Sequence, residues 1–522
     1  MKPERVIGWI VGLVVLIGSH GAAFAQGPPP VPLEEQQTEV LTRGPVHEAF
    51  AEPINLEIGA GMVAPIEPPP NIRETPPDQR PRGEQFAWVP GYWAWDGDRD
   101  TYIWVSACWR AAPPNTYWVP GYWSPVTGTR EVRRGSGWEV VVGGVVNVRI
   151  GGGRASPAEV VGWEWVAGFW SPADVEEIEY LPAPPSPADL EPPGPPPSAD
   201  RTWVPGCWYW QDGRYVRRPG YWLQPRADWI WVPSYYAWTP RGYVFCRGHW
   251  DYALERRGIL FAPVYFPRSV YERRGFTYSP SIAIDVDVLR GNLFVYPRYS
   301  HYYFGDYYDD AYARVGIYPR FESARRRTYY DPIYFQDRWQ NQRTEPRWEE
   351  RQKQEYARRH DDKDLRPART YREQETRLAK MPEPQRRAQQ VPRLLSLVVT
   401  SGQNPLKFER IEPDAREQIA TQASQIHKFR EERNRWEAAA EDRPKAVESP
   451  TEVKRPVGPT SPREVRATRP EKVRIPKPPI VGRPDGSRKP EFALPAMPQE
   501  ERRSEVDTRG RERERGSDKD KE

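Results

Sequence analysis

The side chains able to do acid–base or metal chemistry are few and scattered. Five histidines follow residue 25, namely His47, His249, His301, His360 and His427, and none lies at metal-ligand spacing from another. Asp285 and Asp287 are two residues apart in the segment 282–288, where large apolar residues alternate with Ala or Asp. On a strand they would share a face and could work as a general acid and base. The plainer reading is the polar face of a half-buried strand. Asp306, Asp309 and Asp310, in HYYFGDYYDDAY, could gather calcium through their carboxylates. They follow no known calcium-loop pattern and read more simply as a solvated acidic turn. No Gly-x-Ser-x-Gly, phosphate loop or dinucleotide fingerprint occurs. The chain therefore reads as a non-enzyme, with no catalytic residue, cofactor or metal expected.

Three cysteines, Cys108, Cys207 and Cys246, allow one disulfide and one leftover thiol in an oxidising compartment. Cys108 and Cys207 hold the same slot in WVSACW and WVPGCW and are the candidate pair; unpaired, partly buried thiols are the alternative. The remaining chemistry is aromatic. Nineteen of the 23 tryptophans fall within 86–250. Exposed indoles flanked by Arg and Tyr would stack on sugar rings or anchor a partner, and Trp93, Trp95, Trp123, Trp208, Trp210 and Trp222 are the candidates. The other reading is core: a buried Trp covers 150–250 Å², worth about 4–6 kcal/mol as an upper bound.

These tryptophans belong to a repeat: an aromatic, four residues and another aromatic, usually around Pro-Gly. Copies start at Trp88, Trp104, Trp118 and Trp165, and then at Trp203, Arg217, Trp231 and Phe245, fourteen residues apart. Trp, Tyr and Val favour strands, and Pro and Gly inside the motif would break a helix. Asp96-Gly97, Asp212-Gly213 and Thr239–Gly242 supply turns. The spacing predicts an antiparallel meander with one motif per strand. In it 203–210 pairs with 215–222, 229–238 follows, and 243–250 closes the run. Pro90, Pro120 and Pro205 would then sit at bulges or face solvent. The alternative is that Pro-Gly makes its own turn and doubles the number of strands.

The flanks set the context. Lys2 and Arg5, the apolar run 6–17 and Ala23-Phe24-Ala25 resemble a Sec-type signal peptide over 1–25, leaving a mature chain that begins at Gln26. No later segment is apolar enough to span a membrane. Residues 26–85 read as a Pro-rich irregular arm with one edge strand near 54–58. Section 86–181 holds the first repeats, with a Val140–Val146 hairpin in its insertion. Residues 182–200 are a Pro-rich linker, and 201–336 hold the second repeats and a Tyr-rich region. Residues 337–443 are charged and partly helical, with candidates at 338–380 and 413–441. Ala415, Ile419, Ile426, Phe429 and Trp436 form a narrow stripe on the latter, suited to a coiled coil or self-association. Residues 444–522 have too few apolar side chains to fold and are expected to be disordered. The 61 prolines and 39 glycines fit export, and a net charge of +4 gives no general pull toward nucleic acid. The expected fold is mainly β, with Trp-rich hairpin repeats ahead of a charged, partly helical region.

WVPGYW (88–93 and 118–123), WVAGFW (165–170) and WVPGCW (203–208) resemble the motif of secreted bacterial Trp-x-x-Gly-x-Trp repeat proteins, also written YXWGXW. The likeness covers about 86–250. Ala107, Ser234 and Arg217 depart from it. The resemblance implies an exported β-repeat protein, and it carries no catalytic residue over. The expectation is a periplasmic or extracellular scaffold or interaction protein, with an envelope protein as partner. The alternative is a glycan-binding module for peptidoglycan or an exopolysaccharide.

Overall fold

The computed structural model describes residues 38–56, 61–128, 159–187, 189–198, 200–382, 386, 389–400, 404–438, 471–474 and 480. The signal segment 1–25, Gln26, the Val140–Val146 hairpin and most of 444–522 lie outside the described residues. The fold is mainly β: antiparallel strands in many small sheets, none above four strands among the described residues, with the longer helices toward the C-terminus. Among the described residues no helix is long and apolar enough to cross a membrane.

Four long hairpins dominate. The first joins Phe86–Val89 and Tyr92–Asp96 to Thr101–Val105 and Cys108–Ala111. Its outer and inner halves keep one register, with Trp88 opposite Trp109 and Trp93 opposite Trp104. The second pairs Trp118 with Trp170 and Trp123 with Trp165. The third pairs Trp203 with Trp222 and Trp208 with Arg217. The fourth pairs Trp231 with Trp250 and Tyr236 with Phe245. The six Trp–Trp pairs have ring centroids 5.0–5.3 Å apart in edge or tilted contact, the geometry the indole quadrupole favours.

Each motif is thus cut in two at Pro-Gly or its substitute, which correlates with the doubling of strands rather than with one motif per strand. The cut is a kink common to both strands, with the register carried across it. The pairing of 203–210 with 215–222 and of 229–238 with 243–250 holds. The meander does not continue between them: 215–223 makes no described ladder with 229–239. Instead Glu177–Leu181 pairs with the fourth hairpin at Tyr243–Val244.

Other segments depart from the sequence reading. Residues 38–85 are no free arm. Leu41, Val46, Phe50 and Ile54 are buried in the core, and short strands there pair with residues 264–265, 303–304, 329–330, 163–164 and 408–410. Ile282–Ile284 is a strand, but Asp285 then caps a short helix, Val286–Arg290, accepting from the amides of Asp287 and Val288. The two acids therefore share no strand face. The region 338–380 is three helices, Pro332–Gln342, Trp348–Asp361 and Tyr371–Leu378. The long helix Pro413–Ala438 lies mainly against strands of this chain rather than in a coiled coil. Its buried residues, among them Ile426, Phe429, Arg430, Arg433 and Glu437, pack on the first two hairpins. Within the tail, Glu471–Arg474 adds an edge strand to Glu177–Tyr180, and Ile480 is buried.

Candidate functional site

A kink breaks the ladder on both strands, and the freed backbone groups need partners where water is excluded. In the second hairpin the amides of Gly121 and Gly168 donate to the two oxygens of Glu48 at 2.9 and 3.0 Å. In the first, Gly91 and Ala107 donate to Glu74 at 2.8 and 3.0 Å. The carbonyl side is filled from the long helix and by His47. Arg433 donates to Pro120 O and Ala167 O, Arg430 donates to Gly91 O, and His47 Nε2 meets Pro90 O. Arg433 is paired with Glu437, which accepts from the hydroxyls of Tyr122 and Tyr180. The fourth hairpin has Ser234 where the motif has Gly, and its hydroxyl accepts from Gly248 N at 2.9 Å. In the third hairpin an acid also lies close, since a Cβ built on Gly206 would meet Asp189 Oδ2 at 2.8 Å, but that carboxylate accepts from the Arg217 side chain. The kinks of the first, second and fourth hairpins thus each have an oxygen acceptor for an amide, and the apparent defect at Ser234 is one of them.

Burial pushes the Glu74 carboxyl up to about 7, against the pull of the amides that donate to it. It raises Glu48 as well. His47 accepts from Ala49 N at Nδ1, so its Nε2 proton faces Pro90 O. Burial holds His47 down at about 3 and His301 at about 4. Both rings are neutral structural links.

Above the kinks, Pro-rich segments lie across the aromatic faces. On the first hairpin Tyr102 Oη donates to Ile66 O at 2.8 Å and Trp93 Nε1 to Pro70 O at 2.9 Å. On the third, Tyr215 Oη donates to Pro182 O and Trp208 Nε1 to Ser186 O at 2.9 Å, and Trp203 Nε1 reaches Asp189 O at 3.0 Å. Tyr102 and Tyr215 hold the same hairpin position, as do Trp93 and Trp208, and in both straps the accepted carbonyls are four residues apart. The second hairpin leans on the first through Trp123 Nε1 to Trp93 O, and the fourth on the third through Tyr236 Oη to Trp208 O. The architecture is therefore a duplicated unit: a strap, a strapped hairpin and a second hairpin hung from it. Pro-Pro precedes the acceptor carbonyl in both straps, at 68–69 and 184–185. That is the signal in the sequence that composition alone had assigned to an arm and a linker.

The six candidate tryptophans fall in two groups, Trp93, Trp95 and Trp123 on the first two hairpins and Trp208, Trp210 and Trp222 on the third. Trp93 is 2 % and Trp123 7 % exposed, so neither face is open to a ligand. Trp95 is half-buried at the tip of the first hairpin, while Trp208, Trp210 and Trp222 are half-buried on the third. Trp93, Trp95, Trp208 and Trp210 do not line one groove. Cys108 and Cys207 are not bonded: both are free thiols on separate hairpins, and Cys246 is a third on the fourth. Asp285 pairs with Arg393 at 3.0 Å. Asp306 and Asp309 are taken by Arg366 and Arg369, and Asp310 meets His360. Arginines stand where a cation was considered.

A separate cleft of about 580 Å³, open solvent at its mouth included, lies beside the fourth hairpin. Glu52, Tyr236, Trp238, Tyr243, Arg298 and Tyr299 are among its walls. Tyr235 donates to Glu52 at 2.8 Å. Burial, with Glu48 and Asp251 near, holds the Glu52 carboxyl well above the usual range, against the hydrogen bond from Tyr235.

No protein-family model matches the chain, and none of the curated proteins or solved structures compared with it matches.

Proposed function

We propose that the chain is a non-enzymatic, exported scaffold or interaction protein of the cell envelope or exterior, of the secreted Trp-x-x-Gly-x-Trp repeat kind. One observation carries this reading: the groups able to do chemistry are spent on the protein's own backbone. Glu48, Glu74, Arg430, Arg433 and His47 all cap kinks, while partly exposed aromatic surface lies on the third and fourth hairpins. A Sec-type signal would deliver the chain to the periplasm or beyond, with Gln26 first. N-terminal sequencing of the exported protein checks this, and an intact Met1–Ala25 in that fraction speaks against it.

A second reading, glycan binding, is favoured by the cleft of the fourth hairpin. There Trp238 and Tyr243 offer stacking faces, and Glu52 and Arg298 offer a carboxyl group and a guanidinium. Co-sedimentation of the mature protein with peptidoglycan sacculi separates the two readings. The scaffold reading expects no pelleting above a control protein and a defined protein adduct on cross-linking in cells. Pelleting that Trp238→Ala abolishes would replace it with the glycan reading.

A further inference from the structure

The straps are proline-rich peptides held in cis by aromatic donors. A Pro-rich strand is extended, has no internal hydrogen bonds, and presents carbonyls in a fixed array at low entropic cost. Indole N–H and phenol O–H groups reading carbonyls four residues apart are a receptor for such a strand, and the chain contains that receptor twice.

The two straps differ in how firmly they are held. The first is built in. Trp93 beneath it is buried, Ile72 and Glu74 at its end are buried, and Arg73–Glu74 pairs with Thr277–Tyr278. The third hairpin's strap has no strand of its own. Pro185 and Ser186 are exposed, and among the described residues of the strap only Pro184 is buried. It is secured by the three hydrogen bonds and by Asp189, whose partner Arg217 has a half-exposed side chain.

Strap residues 184–189 read Pro-Pro-Ser-Pro-x-Asp. Residues 29–34 read Pro-Pro-Val-Pro-Leu-Glu, the same pattern with an acid at the same place. We propose that the strapped face of the third hairpin is a receptor for segments of the form Pro-Pro-x-Pro-x-acid, and that its second occupant is residues 29–34 of this same chain. Residues 29–34 lie outside the described residues, ahead of Thr38 where description begins. Glu34 would stand where Asp189 stands, facing Arg217. The inference rests on the scaffold reading and names its ligand. The tethered strap is at high effective concentration, so a competing segment binds with the fraction of opened strap as a multiplier.

The test uses the full mature chain carrying Pro30→Ala and Glu34→Gln, which silence its own copy of the motif. The probe is a labelled peptide of residues 27–35, followed by fluorescence anisotropy. Loosening the strap with Pro184→Ala and Asp189→Asn is expected to tighten peptide binding about tenfold. Adding Trp208→Phe, which keeps a ring and removes the indole N–H, is expected to abolish the gain. Should the double variant not fold, Asp189→Asn alone answers the question with a gain of about threefold. No gain in a variant whose near-ultraviolet circular dichroism is native would overturn the assignment, as would a gain indifferent to Trp208→Phe. Either failure leaves the scaffold reading to the sacculus and cross-linking experiment.

Discussion

A methyl group added at Gly168 would lie 2.5 Å from Cζ2 of Trp118, and one at Gly121 would lie 2.6 Å from Cζ2 of Trp165. One at Gly97 would meet nothing within 4 Å. The motif glycines are thus needed for close approach: a facing indole lies on five of the six kink glycines, all but Gly206, and none of the six has a positive φ. Gly121→Ala should cost about 1–3 kcal/mol through overpacking and displacement of Glu48, and Gly97→Ala should be near neutral; denaturant midpoints of the two variants check this. The buried ionisable groups give a pH signature. His47 and His301 are held below 6.5, so their contribution is complete above that pH and is lost as pH falls toward about 3 for His47 and about 4 for His301. Glu74 is raised from 4.5 to about 7, so its contribution is complete below 4.5 and is lost as pH rises through 7. The two trends oppose each other between 4.5 and 6.5, and below 4.5 the histidine trend is no longer opposed by Glu74. The thermal midpoint should therefore fall steeply below pH 4.5, with His301→Gln flattening that limb and Glu74→Gln flattening the fall toward pH 7. A midpoint insensitive to both substitutions would refute the assignment.

At the scale of elements, the turn of the third hairpin is the most legible feature. Asp212 and Gly213 have φ of 50° and 78°, the two positive angles a tight type I′ turn requires, and nothing packs on Gly213. Gly213→Val should destabilise the third hairpin by about 1–3 kcal/mol, because a β-branched residue resists that conformation; protease cleavage near 212 should accelerate. The first hairpin turns differently from its Asp96-Gly97 signal. Asp96 stays on the strand opposite Thr101, and Asp100 takes the positive φ. Strands and aromatic pairing were readable because Trp, Val and turn residues act locally. The kinks were not, since the carboxylate for Gly121 and Gly168 sits at Glu48, far away in a segment that reads as Pro-rich coil. The inner face of the long helix was half-readable for a related reason: Arg430, Arg433 and Glu437 are buried there, and apolar periodicity cannot register a buried charge. Arg433→Leu leaves Glu437 uncompensated and should cost about 3–5 kcal/mol, whereas the double change with Glu437→Leu should recover much of it; a double-mutant cycle measures the coupling.

Across the whole molecule, the ends of the described chain hold its middle. Residues 38–85 supply the acids for two kinks, the long helix supplies the arginines, and Glu471–Arg474 closes a sheet begun near 177. The sequence marked these regions as arm, helix and tail by composition, and composition carries no information about which distant backbone they satisfy. This has a kinetic consequence. The kink of the second hairpin is at residue 121 and its arginine at residue 433, so the oxygen atoms of Pro120 and Ala167 wait for their donor until some three hundred more residues are made. At about 5–20 residues per second that is roughly 15–60 s of elongation. The contacts that seal the repeat region are of very high sequence separation, and loop closure must precede them. Chains truncated at residue 400 should therefore stay protease-sensitive through 86–252, and full-length chains should gain protection there and at 413–438 in one step. A ribosome-bound or threaded chain is held open by its own topology, with the lock encoded in its last quarter.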